Sequence, residues 1–102
     1  MMSREKKNAK IIKTFLGIED HGIFTCSLTL DYGGVCQGFG NHELKYEKYG
    51  VVYLERILQA VGVDKWERLL GRNIRADAEH GKVHGIGHII NDKWFYPEQD
   101  LT

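Results

Sequence analysis

The feature that most constrains this chain is the run Ile23-Phe24-Thr25-Cys26-Ser27-Leu28-Thr29-Leu30-Asp31-Tyr32, with Gly33-Gly34 directly behind it. Phe24, Cys26, Leu28, Leu30 and Tyr32 fall on one side of an extended chain; Thr25, Ser27, Thr29 and Asp31 fall on the other. A period of two with one apolar side is a half-buried strand. The glycine pair supplies the positive φ angles of a two-residue hairpin loop. Val35 to His42 is then the return strand, and the loop fixes its register: Tyr32 faces Val35, Asp31 faces Cys36, Leu30 faces Gln37, Leu28 faces Phe39 and Cys26 faces Asn41. The expected core face is Phe24, Cys26, Leu28, Leu30, Tyr32, Val35 and Phe39. The opposite face is small and polar, and Gly38 and Gly40 weaken a strand unless a helix, a second subunit or a ligand must approach the backbone. The two cysteines fall on opposite faces and cannot bridge within one chain, and Cys36 is expected as a buried structural residue rather than a nucleophile.

The rest of the chain builds outward from this hairpin. Lys10 to Leu16 alternates and reads as a first strand, with Ile11, Lys13 and Phe15 on one face and Ile12, Thr14 and Leu16 on the other. Glu19-Asp20-His21-Gly22 ends it as a turn in which Asp20 bonds neighbouring backbone and Gly22 supplies the unusual φ. Val51, Leu54, Ile57, Leu58 and Val61 make a helical stripe that Gly62 terminates. Asp64 and Glu67 have capping-box spacing, which predicts a second helix to about Leu70. Ile74 to Glu79 and Lys82 to Ile90 form a second hairpin about His80-Gly81, and Trp94, Phe95 and Tyr96 are expected to close over the core. The expectation is a single α+β domain over residues 1–102. It has an antiparallel sheet in β-β-β-α-α-β-β order, two helices on one face, and frayed ends at 1–9 and 97–102.

Charge narrows the function classes. Fourteen basic residues balance fourteen acidic ones, which argues against a protein that grips nucleic acid by neutralising phosphates. The same balance removes the repulsion that keeps copies apart, so a homo-oligomer, a dimer first, is expected. The charged start lacks the apolar region of a secretory signal and no stretch reaches the roughly 18 apolar residues of a membrane span, so a cytoplasmic location with reduced thiols is expected.

No catalytic or cofactor signature stands out. His80, His84 and His88 recur every fourth residue, but on a strand that spacing is roughly 13 Å, too wide for one metal ion. Glu19, Asp20, His21 and Asp31 are the residue types of an acid-base or metal site, with a turn as the plainer reading. Gln37-Gly38-Phe39-Gly40 and Gly85-Ile86-Gly87 lack the strand-to-helix context of a phosphate loop. Arg56, Arg68, Arg72 and Arg75 offer guanidinium forks suited to an anion. Ligand or partner contacts are expected from Glu19, Asp20, His21, Asp31, Tyr32, Gln37, Arg56, Arg72, Arg75 and His84.

Several segments together, Gly17-Ile18-Glu19-Asp20-His21-Gly22-Ile23, Leu30-Asp31-Tyr32-Gly33-Gly34, Gln37-Gly38-Phe39-Gly40, Val61-Gly62-Val63-Asp64-Lys65-Trp66-Glu67, Ala78-Glu79-His80 and Lys93-Trp94-Phe95, resemble a pattern in small uncharacterised proteins of tailed phages. The resemblance implies a non-enzymatic accessory protein that inhibits a host defence system. It would bind a defence complex, as anti-CRISPR proteins do, or sequester a signalling nucleotide. The alternatives are a small hydrolase using Asp20, His21, Asp31 or a metal, and a virion or assembly component.

Overall fold

The computed structural model describes residues 4–44 and 49–101. The elements are β1 (Glu5–Ile18), β2 (Phe24–Asp31), β3 (Cys36–Glu43), α1 (Gly50–Val61), a 3-10 turn (Trp66–Arg68), β4 (Asn73–Glu79), β5 (Lys82–Gly87), β6 (Trp94–Phe95) and the single-turn α2 (Pro97–Asp100). The fold is α+β, with one antiparallel sheet in the order β3-β2-β1-β4-β5-β6.

The sheet curls until its two edges meet. Gln37 Nε2 on β3 donates to the carbonyls of Glu79 and His80, at 2.9 and 3.0 Å, in the turn between β4 and β5. Phe39 of β3 and Phe95 of β6 come together edge to face at 6.4 Å, and Tyr53 of α1 packs on both, at 6.4 and 5.1 Å. Ile11, Leu28, Leu30, Ile57, Leu69, Ile74, Ile86 and Phe95 are sealed around them. Each such side chain contributes about 1.5–3 kcal/mol of transfer free energy.

The central hairpin follows the expected register from Tyr32 to Phe39. The Asp31 carboxylate accepts the Gly33 and Gly34 amides, at 3.0 and 2.8 Å, and those two bonds hold its pKa below the ordinary value. The register breaks at Cys26, which faces His42 rather than Asn41. There Gly40 sits at φ +98, and a Cβ on it would lie 3.3 Å from the Cys26 carbonyl. Val35 does not join the core. It is 68% exposed at the loop, and Cys36 is exposed as well.

Three other expectations fail for physical reasons. A bulge between Ile11 and Lys13 flips the strand parity, so buried Ile11 shares a face with Thr14 and Leu16 instead of with Phe15. Helix α1 buries Gly50, Tyr53, Ile57, Ala60 and Val61, leaving Val51 81% exposed. The face is rotated because Gly50 lies against the Leu44 backbone and the Tyr53 ring fills the gap between Phe39 and Phe95. No side chain caps the segment expected as a second helix, which is only the 3-10 turn. Leu69 must reach the core, and Gly71 at φ +87 must donate its amide to the Ile11 carbonyl, so the chain has to turn at once.

The ends are more ordered than their charge suggested. Glu5 to Ala9 pair with Ile74 to Ala78, and Pro97–Asp100 form α2. β5 stops at Gly87, because His88 bonds Lys93 and its Nδ1 accepts the Ile90 and Asn91 amides. Lys45, Tyr46, Glu47 and Lys48 of the expected polar connector lie outside the described residues.

Candidate functional site

β1 serves two neighbours in succession. Glu5 to Lys10 pair with β4, and Lys10 to Ile18 pair with β2. Beyond Ile11, whose amide and carbonyl bond to Arg72 and Gly71, no strand among the described residues pairs with the other side of β1. Its distal half is therefore a free edge, backed by β2, which β3 pairs in turn as far as Thr25↔Glu43 and the bond from the Leu44 amide to the Phe24 carbonyl. This edge and the turn at its end form an arm along one side of the sheet.

The arm carries unusually large apolar side chains for an exposed sheet edge. Ile12, Phe15, Leu16, Ile18 and Ile23 are all exposed, Ile18 at 66%. On one face Phe15, Thr25 and Ser27 meet Ile18, Ile23 and the turn residues around an open groove of about 550 Å³. Its walls mix apolar Phe15, Ile18 and Ile23 with the hydroxyl residues Thr25 and Ser27, and its rim is acidic and imidazole-bearing, from Glu19, Asp20 and His21. A concave surface that combines large exposed apolar side chains with polar groups is a common form of binding site.

The turn at the tip is built by Glu19, not by Asp20 as its sequence suggests. Glu19 Oε1 accepts the amides of His21 at 2.6 Å and Ile23 at 3.2 Å, and Oε2 lies 3.3 Å from His21 Nδ1. Burial pushes the Glu19 carboxyl up, but the two amides and the His21 ring outweigh it and hold the pKa below the ordinary value. Gly22 adopts the expected positive φ of 81. Asp20 is exposed at the groove's lip.

The remaining candidates do not join this site. Asp31 caps the loop at the other end of β2 from His21, so Asp20, His21 and Asp31 make no hydrolytic cluster. Tyr32 donates its hydroxyl to Gln37 Oε1 at 2.7 Å, and Gln37 is spent closing the curl. Arg56 is paired with Asp100 at 3.1 Å. Arg75 bonds the His88 and Asn91 carbonyls and stacks on Trp94, and Arg72 bonds the Arg68 carbonyl. His84 Nε2 is 2.6 Å from Glu79 Oε2, while His88 serves its own turn. Arg68 lies 3.7 Å from Asp64, so each of the four arginines is engaged by the chain itself.

A second built cluster lies over β4 and β5. Asp77 accepts from Arg4, 3.0 Å from its Nη2, and from the Tyr96 hydroxyl at 2.6 Å. Burial pushes Asp77 up, but Arg4 and Tyr96 more than offset this and lower its pKa. Burial, reinforced by Asp77, raises the Tyr96 hydroxyl to about 12. Trp94 and Tyr96 stack on each other and cover Gly87 and Gly85, where a Cβ would meet the rings at 2.5 and 2.6 Å. The glycines noted in the sequence thus admit the chain's own aromatics rather than a phosphate.

The exposed arm was the part that sequence reasoning missed. Its signal was present in Phe15, Leu16, Ile18 and Ile23: apolar residues on both faces of a hairpin that ends in a polar turn. Among the described residues no group of three or more metal-binding side chains converges, and no helix is long and apolar enough to cross a membrane. Comparison with family models, curated proteins and solved structures finds no match to this chain.

Proposed function

We propose that this chain is a phage-encoded, non-enzymatic binding protein that blocks a host defence system from within the host cytoplasm. The phage-like pattern over residues 10 to 101 motivates the context. The observation that carries the mode of action is the arm: a groove of about 550 Å³ whose Phe15, Ile18 and Ile23 walls face solvent. A protein partner fits it best. Such an arm offers apolar anchors near its centre and carboxylates at the rim that select a partner surface with basic residues.

Sequestering a signalling nucleotide is the weaker form of the same proposal. It needs arginines turned toward a shared site, and Arg56, Arg72 and Arg75 are each engaged with the chain's own carbonyls or Asp100. The two forms separate experimentally. A protein blocker carries a stoichiometric host protein through purification, and its melting temperature is unmoved by cyclic or ADP-ribose-type nucleotides. A sponge melts higher with nucleotide, by RT ln(1 + [L]/Kd) in stability, and releases it intact on denaturation.

A further inference from the structure

We infer that the free edge of β1 is a self-pairing surface, on which a second copy of this chain docks its own β1 in antiparallel register. The hydrogen-bond alternation of the sheet sets the geometry. Glu19 donates its amide to the Ile23 carbonyl, and the β1–β2 register runs from Ile18↔Phe24 to Lys13↔Thr29. In an antiparallel ladder only alternate pairs bond each other, so Gly17, Phe15 and Lys13 direct their amides and carbonyls to β2. Thr14, Leu16 and Ile18 therefore direct theirs away, to the side where no described strand pairs.

Three outward-facing residues in a row specify one best alignment with a second copy. Centring the two-fold axis on Leu16 sets Leu16 against Leu16 and Thr14 against Ile18 of the second copy, twice by symmetry. Every outward amide and carbonyl of these residues then finds a partner, whereas any shifted centre leaves some unpaired. The same alignment sets Lys13 against Glu19 of the second copy, opposite in charge, and Phe15 against its Gly17. The arm is basic at its base, through Lys10 and Lys13, apolar in the middle, and acidic at its tip, through Glu19 and Asp20. Antiparallel self-pairing superposes base on tip, so the charges match only with the strands reversed. An unpaired apolar edge is the standard template for such addition. Net charge of zero leaves no long-range repulsion between copies. Pairing uses the strand edge and is independent of what the groove binds.

The test is sedimentation equilibrium of the full chain over a concentration series, with amide hydrogen exchange read at the same concentrations. The expected result is reversible association to twice the monomer mass, with exchange at Thr14, Leu16 and Ile18 slowing as dimer fills. Leu16→Pro removes an outward amide at the two-fold axis while sparing the bonds to β2, and yields a monomer. Lys13→Glu sets like charges opposite each other twice and weakens association about tenfold. A mass that stays monomeric at millimolar concentration overturns the inference. So does a dimer in which those three amides exchange as fast as in dilute solution. The exchange readout needs no variant, so a folding defect in Leu16→Pro leaves the test intact.

Discussion

Replacing Gly85 by alanine tests the packing over β4 and β5 most sharply. The new Cβ would lie 2.6 and 2.7 Å from the Tyr96 ring and 2.9 Å from the Phe95 carbonyl. The carbonyl belongs to β6 and cannot retreat without unpairing it, so the ring must move, by roughly 1 Å to regain ordinary contact. Tyr96 is also the donor to Asp77 at 2.6 Å, and that displacement breaks the bond. Overpacking costs about 1–3 kcal/mol, and loss of a hydrogen bond to a charged group about 1.5–3 kcal/mol. Together we expect a loss of about 3 kcal/mol, which for a domain of this size is roughly 15 °C in melting temperature. Gly81, in the adjoining turn, has open space around it, and Gly81→Ala is the matched control with little expected change. Urea denaturation followed by circular dichroism measures both. In a Tyr96→Ala background the cost of Gly85→Ala should shrink to about 1 kcal/mol, because the obstructing ring is gone. Equal stabilities of Gly85→Ala and Gly81→Ala, or strict additivity with Tyr96→Ala, would refute this account of the glycines.

Further outcomes follow from the same structure. Phe95→Ala empties the contact that Tyr53 and Phe39 share, and should cost about 4 kcal/mol in chemical denaturation; a loss below 1 kcal/mol would mean the curl is held elsewhere. Asp77→Asn should cost about 2 kcal/mol at neutral pH, chiefly through the Tyr96 bond, since partly exposed Arg4 is screened by solvent. The Asp77 pKa is lowered from 3.8 on folding, so its contribution is full above pH 3.8 and is lost as pH falls through the folded value. The gap between the native chain and Asp77→Asn should therefore close below pH 3.8, and a gap that widens there contradicts the assignment. Thiol titration with an aromatic disulfide should count one reactive cysteine in the native state, exposed Cys36, and two after denaturation; native reaction of Cys26 would place it outside the core.

What the sequence disclosed, and what it did not, follows from the range of the forces involved. The Tyr32 to Phe39 register was legible because Gly33-Gly34 fixes it locally, and Asp31 proves to cap that loop with its own carboxylate. The helix face was misjudged because Val51 and Tyr53 are both apolar enough to be buried. Only the distant Phe39 and Phe95 rings decide between them. The bulge at Ile12 has no local signature, and by flipping parity it moved Phe15 from the expected Ile11 face to the groove. Glu19, Asp20 and His21, which the sequence offers as ligand or partner candidates, lie together at the rim of the groove. Of their apolar companions, Phe15 and Ile23 were read only as strand residues and Ile18 fell past the expected strand end at Leu16, because nothing in the sequence reveals that β4 stops short of the arm.

The central claim is that the arm is a docking surface for a host protein. Its most direct measurement is affinity capture from host lysate with the native chain beside Ile18→Ser/Ile23→Ser, at matched melting temperature. Both side chains are already exposed, so the double variant should fold with stability within about 1 kcal/mol of the native chain. The account predicts that the native chain retains a stoichiometric host protein and that the variant loses it, at least tenfold in bound fraction. Equal capture by both chains, or capture abolished instead by a nucleotide that raises the melting temperature, would contradict it.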